Sequence, residues 1–502
     1  MSYLLLSVLL LPVLSAPFVY LAGRKSAKSA AILLSLVAAA TLALVLTTVP
    51  TILDSPFNRY VEDYPWIPVL NSNFTLFVDG ISLSLVILTM VLIIAASLYS
   101  INYMAHKKNL PVYYTLMSLL FTGLIGVFIS SNLLFFYFCW ELMLVPAFFL
   151  VGGWGYQDSY KASFKFFVFT HAGAVFVLLG IGAIYMLTGS IDIFTAGNLL
   201  LTQNPDSVKW GLMALTAGFA VKMAIFPVHM WLPDAYAEAP APMSTLISGV
   251  LTSAGAYAIV RISMETVFPA VAATSFGVNF LHGLAIFGVV SAFFGSFVAL
   301  SHTDIKRIIA YSSIAHMGYI LFGVSLFPLQ AAMTGTVLHI VTHGLSKGLF
   351  FLTAGAIMSA LSVRNIREMG GLAGKMPVTG TASAVAALSL GGAPPFACFI
   401  SEFFIFMGAF QLIPIDNFYI VPTALMLTAT VLSLGYSLRF ISKVFLGPSK
   451  IQSTDETGNQ KKFEVPRFMQ LSMVILLVLV IIVGVYPTFF IELINTATRA
   501  FI

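Results

Sequence analysis

From residue 3 to residue 490 the chain alternates apolar runs of about twenty residues with short polar or turn-rich breaks. An α-helix rises 1.5 Å per residue, so a run of about 20 residues crosses the roughly 30 Å hydrocarbon layer of a bilayer. Only 9% of the 502 residues are charged, against about 25% in soluble domains. No hydrophilic stretch is long enough for a soluble domain. The expected fold is an all-α polytopic membrane protein of about fourteen helices. They are expected at 3–22, 29–50, 79–100, 112–130, 132–151, 164–187, 210–229, 243–263, 282–300, 308–327, 331–359, 378–408, 419–445 and 468–490.

The loop charges test that count. With the N-terminus outside, eighteen Lys and Arg fall in loops facing the cytoplasm and four (Arg59, Lys209, Arg261, Arg499) face outward. Lys222 and Lys347 are left inside the membrane. This is the bias that fixes topology. Both termini are therefore expected outside, with the acidic loop 52–77 external and the loop 446–467 cytoplasmic. The net charge of +5 sets topology and does not point to nucleic acid. The first run has no charged segment before it and no cleavage-like site, so it reads as a retained helix. Cys139 and Cys398 lie in apolar runs, which argues against a disulfide framework or a zinc site. No iron–sulfur, haem, flavin or nucleotide motif is visible, so no cofactor is expected on this chain.

Two runs carry helix-breaking prolines: Pro227 and Pro233 in the first, Pro394 and Pro395 in the second. Proline removes a backbone donor and clashes with the turn before it. The freed carbonyls are tolerated at membrane depth only against protein or a water-filled cavity. Each break has an acid seven residues after a proline, Asp234 after Pro227 and Glu402 after Pro395. Transporters built from inverted repeats place discontinuous helices at equivalent points, next to the ion site.

Several ionisable residues stand inside these runs. Glu141 has no other charge within fifteen residues on either side. A charge at the bilayer centre costs at least a few kcal/mol and normally has a partner and a function. It reads either as one half of a pair with Lys222 or as a protonated side chain in an interhelical hydrogen bond. His339, His343 and Lys347 stand at i, i+4 and i+8, on one helix face across about 12 Å of rise. Imidazole titrates near neutral pH, so the row has relay spacing; the alternative is three polar groups packed against other helices. A metal site is not expected there, because no carboxylate or Cys accompanies the histidines at ligand spacing. Glu402 reads as an exit gate or as a carboxylate at the membrane edge. His316, His171 and His229 are read evenly as core hydrogen bonders or relay members.

Three motifs stand out together. They are Phe138-x-Trp140-Glu141, Lys222 with Pro227-x-His229-x-Trp231-Leu232-Pro233-Asp234-Ala235, and Asp304-Ile305-Lys306-Arg307 followed by Ala310 to Gly318. Over roughly residues 75–445 the chain resembles the antiporter-like subunits of respiratory complex I. The same superfamily holds membrane-hydrogenase, archaeal coenzyme-dehydrogenase and multisubunit cation/proton antiporter subunits. The resemblance implies fourteen helices: three N-terminal ones in 1–110, inverted repeats in 111–265 and 280–446, and a final loop and helix in 447–502. It also implies a proton path through Glu141, Lys222, His316, His339, His343, Lys347 and Glu402. A Glu at 402 is similar to the subunit M branch, whereas Ser253 stands where that branch usually has Lys in its eighth helix. Lys347 after His339 and His343 is similar instead to the subunit L branch and the cation-antiporter relatives.

The reading that follows is a proton-translocating subunit of a complex I-type oxidoreductase. Its expected setting is a prokaryotic cytoplasmic membrane, in a hetero-oligomer with other integral membrane subunits. The competing reading is a subunit of a multisubunit Na⁺/H⁺ antiporter with no redox partner. A membrane enzyme acting on lipid or quinone is disfavoured, because no nucleophile–base set appears at a membrane face.

Overall fold

The computed structural model describes residues 3–55, 58–67, 72–448 and 463–499. Among them, twelve helices are long and apolar enough to cross a membrane. The elements used below, in chain order, are α1 (Leu4–Lys25), α2 (Ala27–Leu46), β1 (Tyr60–Ile67), β2 (Ser72–Val78), α3 (Gly80–Tyr103), α4 (Leu110–Ile129), α5 (Leu133–Trp154), α6 (Ser159–Thr188), α7 (Pro205–Met223) and α8 (Leu232–Glu238). After them come α9 (Ala241–Ala270), α10 (Ser275–Ser301), α11 (Ile305–Ser325), α12 (Gln330–Leu361), α13 (Pro377–Leu390), α14 (Ala397–Leu412), α15 (Ile420–Phe445), α16 (Arg467–Val485) and α17 (Thr488–Thr498).

Helix starts follow from local chemistry. Asp79 accepts from the Ile81 and Ser82 amides at 3.1 and 3.0 Å and opens α3. Asn132 accepts from Leu134 and Phe135 at 3.0 Å each and opens α5. Such caps satisfy amides that have no partner within the helix. Among the described residues of the segment 52–77 the sequence suggested only a loop, but β1 and β2 pair there as an antiparallel hairpin. The hairpin serves the bundle: Glu62 accepts from the free amides of Leu5 and Leu6 at 3.0 and 3.1 Å, at the positive end of α1.

Both proline-marked segments are broken. α7 ends at Ala224, a left-handed residue with φ 60°, and helix resumes only at α8. The expected single run 378–408 is two helices, α13 and α14, joined through Gly391–Phe396. In the final run the helix α16 stops at Val485, and α17 follows as a separate piece. Of the expected loop 446–467, residues 449–462, with Lys450, Lys461 and Lys462, lie outside the described residues.

α12, 32 residues long, lies at the centre and packs against α3, α9, α11, α13, α14, α16 and α17. α9 is deeply buried and contains two π-helical stretches, Ile247–Leu251 and Ile259–Val267.

Two residues counted as loop charges are buried. Lys306, in the first turn of α11, is 0% exposed. Its ammonium donates to the Ala239 carbonyl and lies 5.1 Å from the Tyr156 ring centroid. Arg261 is 1% exposed and forks onto Asp79 at 2.6 and 2.7 Å. It also pairs with Glu265 one turn along, which Arg59 holds at 3.2 Å from the hairpin end.

Candidate functional site

The break after α7 leaves Lys222 in the last turn of a half-helix, where unpaired carbonyls concentrate negative charge. Trp231, from beyond the break, adds a 2.9 Å bond to the Val221 carbonyl, which also accepts from the Ala224 amide at 3.1 Å. Lys222 is 1% exposed, and its ammonium has no hydrogen-bond partner among the described residues. It lies 5.4 Å from the Trp140 ring centroid and 5.8 Å from that of Phe166. Aromatic faces stabilise a cation by about 0.5–2 kcal/mol, the upper end in dry surroundings.

Glu141, the next residue after Trp140 on α5, does not touch Lys222. Its carboxylate lies 3.4 Å from His171 Nδ1 of α6, and its other oxygen has no partner among the described residues. The expected direct ion pair is therefore replaced by a Glu141–His171 contact, with Trp140 in contact with the Lys222 ammonium. The sequence left His171 open, because no spacing rule links residues on separate helices.

The second centre gathers around α12. His339, His343 and Lys347 all lie on this one helix and are fully buried. His316 of α11 meets the row, Nδ1 to His339 Nε2 at 3.2 Å. His339 Nδ1 is 2.8 Å from Ser401 Oγ, and the Tyr436 hydroxyl is 3.2 Å from His316 Nε2. Lys347 donates to the Ile309 carbonyl at 3.0 Å and to Ser312 Oγ. Neither nitrogen of His343 has a partner among the described residues.

Glu402 lies inside α14 and is 5% exposed. One of its oxygens has no hydrogen-bond partner among the described residues. It lines a cavity of about 710 Å³ with Gly392, Phe399, Phe403 and Leu434. Gly392 has φ +67°, and a Cβ there would lie 2.6 Å from Glu402 Oε2. The turn thus requires glycine twice, for its left-handed backbone and for the carboxylate beside it. Gly392→Ala is expected to cost about 1–2 kcal/mol of backbone strain and to turn the Glu402 side chain away. Thermal unfolding of the purified chain would register the first effect, and the carboxyl stretching band in difference infrared spectra the second.

The remaining residues divide differently. Asp234, the counterpart of Glu402 by proline spacing, is not an unpaired buried acid: Lys165 and Arg307 hold it at 2.8 and 2.9 Å. It anchors the loop end of the bundle with Glu238 and Asp304, both bound by Arg364 at 3.1 and 2.8 Å. Burial is outweighed there by the two carboxylates, and the Arg364 pKa is raised. Ser253 bonds only within its own helix, to the Gly249 carbonyl at 2.9 Å. His229 stacks on Phe226 with centroids 5.5 Å apart and packs tilted against Phe294 at 4.6 Å, and its Nδ1 has no partner among the described residues. Sequence reasoning missed the contacts of Ser401 and Tyr436, and the burial of Lys306. Position 306 does share a helix face with Ile309, Ala310 and Ser313, and that is the signal available for it.

Buried acids, imidazoles and amines on broken and central helices are groups that accept and release protons in a medium that otherwise excludes them. Known proteins resemble this chain in sequence and fold. Residues 130–428, more than half of the chain, match the model of the family described as NADH:quinone oxidoreductase/Mrp antiporter, TM. The chain is 35% identical over 436 residues to NADH-quinone oxidoreductase subunit M of Pseudomonas aeruginosa, covering 84% of this chain and 81% of that one. It is 33% identical over 437 residues to F(420)H(2) dehydrogenase subunit M of Methanosarcina mazei, covering 86% and 84%. Its fold is that of a chain in respiratory complex I from Thermus thermophilus, with a TM-score of 0.84 at 21% identity over 99% of this chain and 98% of that one. A chain of the Mrp complex from a Dietzia species gives 0.85 at 22% identity over 100% and 98%. The chain belongs to the NADH:quinone oxidoreductase/Mrp antiporter transmembrane family.

Proposed function

We propose that this chain is the proton-translocating, antiporter-like membrane subunit of a complex I-type respiratory oxidoreductase. It sits in a membrane beside other integral subunits, and the electron chemistry takes place elsewhere in the complex. One observation carries the reading: fully buried His316 and His339 share a 3.2 Å contact beside Glu402, which has an unpartnered oxygen among the described residues and lines a cavity. A proton held there has a donor line on one side and an outlet on the other.

The chain crosses fourteen times when the broken pairs α7–α8 and α13–α14 are each counted once. Inverted repeats then span 111–265 and 280–446, after an N-terminal unit in 1–110 and before a last loop and helix in 447–502. In each set of five crossings the fourth is the broken one, which supports this division. The Lys- and Arg-rich loop end faces the cytoplasm and both termini face outward.

Glu141 and Lys222 form the first station, communicating across Trp140 and His171. Lys347, His343, His339 and His316 form the central line, and Glu402 is the last station. No cofactor is assigned to this chain; charge displaced in neighbouring subunits would shift the affinity of these groups for protons. The relatives at 33–35% identity are subunits of redox complexes, which favours this reading over a Na⁺/H⁺ antiporter.

Two measurements test it. Proteins co-purifying with the chain from its native membrane in gentle detergent should carry flavin or iron–sulfur centres; only small polytopic partners, without either, would favour the antiporter. In vesicles holding the assembled complex, Lys347→Met should sharply lower proton translocation per electron. Unchanged stoichiometry would remove Lys347 from the path.

A further inference from the structure

No carboxylate stands at ligand spacing from the histidines along the chain, but the fold brings one from α14. One ligating atom each from His316, His339 and Glu402 lie within 4.8 Å of one another, and all three residues are buried. The two rings face each other nitrogen to nitrogen, His316 Nδ1 to His339 Nε2, at 3.2 Å. Two imidazole nitrogens bound tetrahedrally to zinc, each about 2.0–2.1 Å from the metal, lie about 3.3 Å apart. The pair already has that separation.

The nitrogens that face away are fixed. The Tyr436 hydroxyl is 3.2 Å from His316 Nε2. Ser401 Oγ donates to the Cys398 carbonyl at 2.9 Å, so it accepts from His339 Nδ1–H at 2.8 Å. That bond leaves the His339 lone pair on Nε2, facing His316. Metal-binding histidines are held in this manner, the far nitrogen tied down so that the near one points at the ion. Two buried groups beside the trio lack partners among the described residues, Glu402 Oε1 and both ring nitrogens of His343. The His343 ring centroid lies 5.4 Å from that of His316. Buried polar atoms without partners are uncommon enough to call for an explanation.

We propose that His316, His339 and Glu402 form a binding site for a divalent transition cation of the Zn²⁺ class, with water or His343 in the fourth position. Two imidazoles and one carboxylate suit zinc-like ions, whereas Mg²⁺ and Ca²⁺ prefer all-oxygen sites. Binding at His316 Nδ1 moves that ring's proton to Nε2, beside the Tyr436 hydroxyl, so both rings ligate as neutral imidazoles. These three side chains also belong to the proposed proton path, so on that reading an occupied site holds a fixed charge where a mobile proton is needed and blocks translocation.

The test is a titration of the full-length chain in lipid nanodiscs with Co²⁺, followed by displacement with Zn²⁺. One Co²⁺ per chain should give the intense visible absorption of four-coordinate cobalt. X-ray absorption at the zinc edge should then show two imidazoles at about 2.0–2.1 Å. His339→Gln and Glu402→Gln should each weaken binding by at least about tenfold, near 1.4 kcal/mol. A zinc spectrum without imidazole, or affinity unchanged in both variants, overturns the site and marks an adventitious ion only. The spectrum of the unaltered chain decides the matter even if both variants misfold. Proton translocation in the assembled complex is read separately. Zinc bound at these ligands with undiminished pumping would leave the site standing and remove it from the proton path.

Discussion

Glu141→Gln is expected to reduce proton translocation by the assembled complex to a small fraction, at least about tenfold or 1.4 kcal/mol in the limiting step. The substitution keeps size and a hydrogen-bonding group beside His171, 3.4 Å away, and removes only the ability to carry charge. Lys222 is held by rings and not by a carboxylate contact, so the Glu141 charge reaches it through space across Trp140. At separations beyond contact, a unit charge in a medium of effective dielectric near 20 still contributes about 2 kcal/mol at roughly 8 Å. Losing that influence leaves the ammonium with the aromatic rings and the carbonyl end of α7. Trp140→Leu is expected to weaken translocation less, because it removes the cation's cushion and leaves both charges. Dye-monitored acidification of vesicles, normalised to electron transfer, separates these outcomes. Full pumping by the Gln variant would eliminate Glu141 as a carrier.

Arg261→Ala is expected to destabilise the folded chain by about 3–5 kcal/mol, the usual result of removing one partner from a buried ion pair. The loss strands Asp79, 2% exposed, and Glu265 without their shared cation. Asp79 also caps α3, so its burial, which alone would raise the carboxyl pKa, is outweighed by Arg261 and the Ser82 amide. The pKa falls below its ordinary value of 3.8. The sign follows directly. The pair's support is complete above about pH 4 and fades as pH falls through the lower folded-state value. Asp79→Asn alongside Arg261→Ala should recover part of the loss, since one stranded charge is gone. By contrast, breaking the exposed Lys209–Asp206 pair at 2.7 Å should change stability by less than about 1 kcal/mol. Unfolding of the detergent-solubilised chain measures all of these, and an Arg261→Ala chain as stable as its parent would show that the cluster does not hold the fold.

What the sequence made readable was whatever a single helix or the membrane thickness imposes. The apolar runs mark where their helices lie, with ends off by up to about seven residues, because crossing hydrocarbon demands both length and composition. The breaks were readable because proline and Gly392 act on their own backbone. The His339–His343–Lys347 face was readable because spacing along one helix fixes it. Contacts between helices were not. Nothing near Glu141 in sequence indicates His171, and nothing near His316 indicates Glu402, 86 positions away. Lys306 and Arg261 were misread for a related reason. A cation next to a loop looks solvated until the neighbouring helices are known, and here they supply Ala239, Tyr156 and Asp79. The hairpin at β1 and β2 was hidden by acids that suggested a solvated loop, although Glu62 is turned inward to cap α1.

The gap between α13 and α14 is closed from an unexpected quarter. A Cβ on Gly484, far along α16, would sit 2.2 Å from the Pro395 carbonyl oxygen, so the last long helix lies directly against the interrupted backbone. Likewise a Cβ on Gly80 would overlap the Leu493 carbonyl of α17, so the final helix seals the start of α3. Ribosomes deliver the N-terminus first. The backbone beside Glu402 is therefore covered only after the segment around Gly484 has been made. A chain cut before α16 would leave the interrupted backbone between α13 and α14 uncovered on that side.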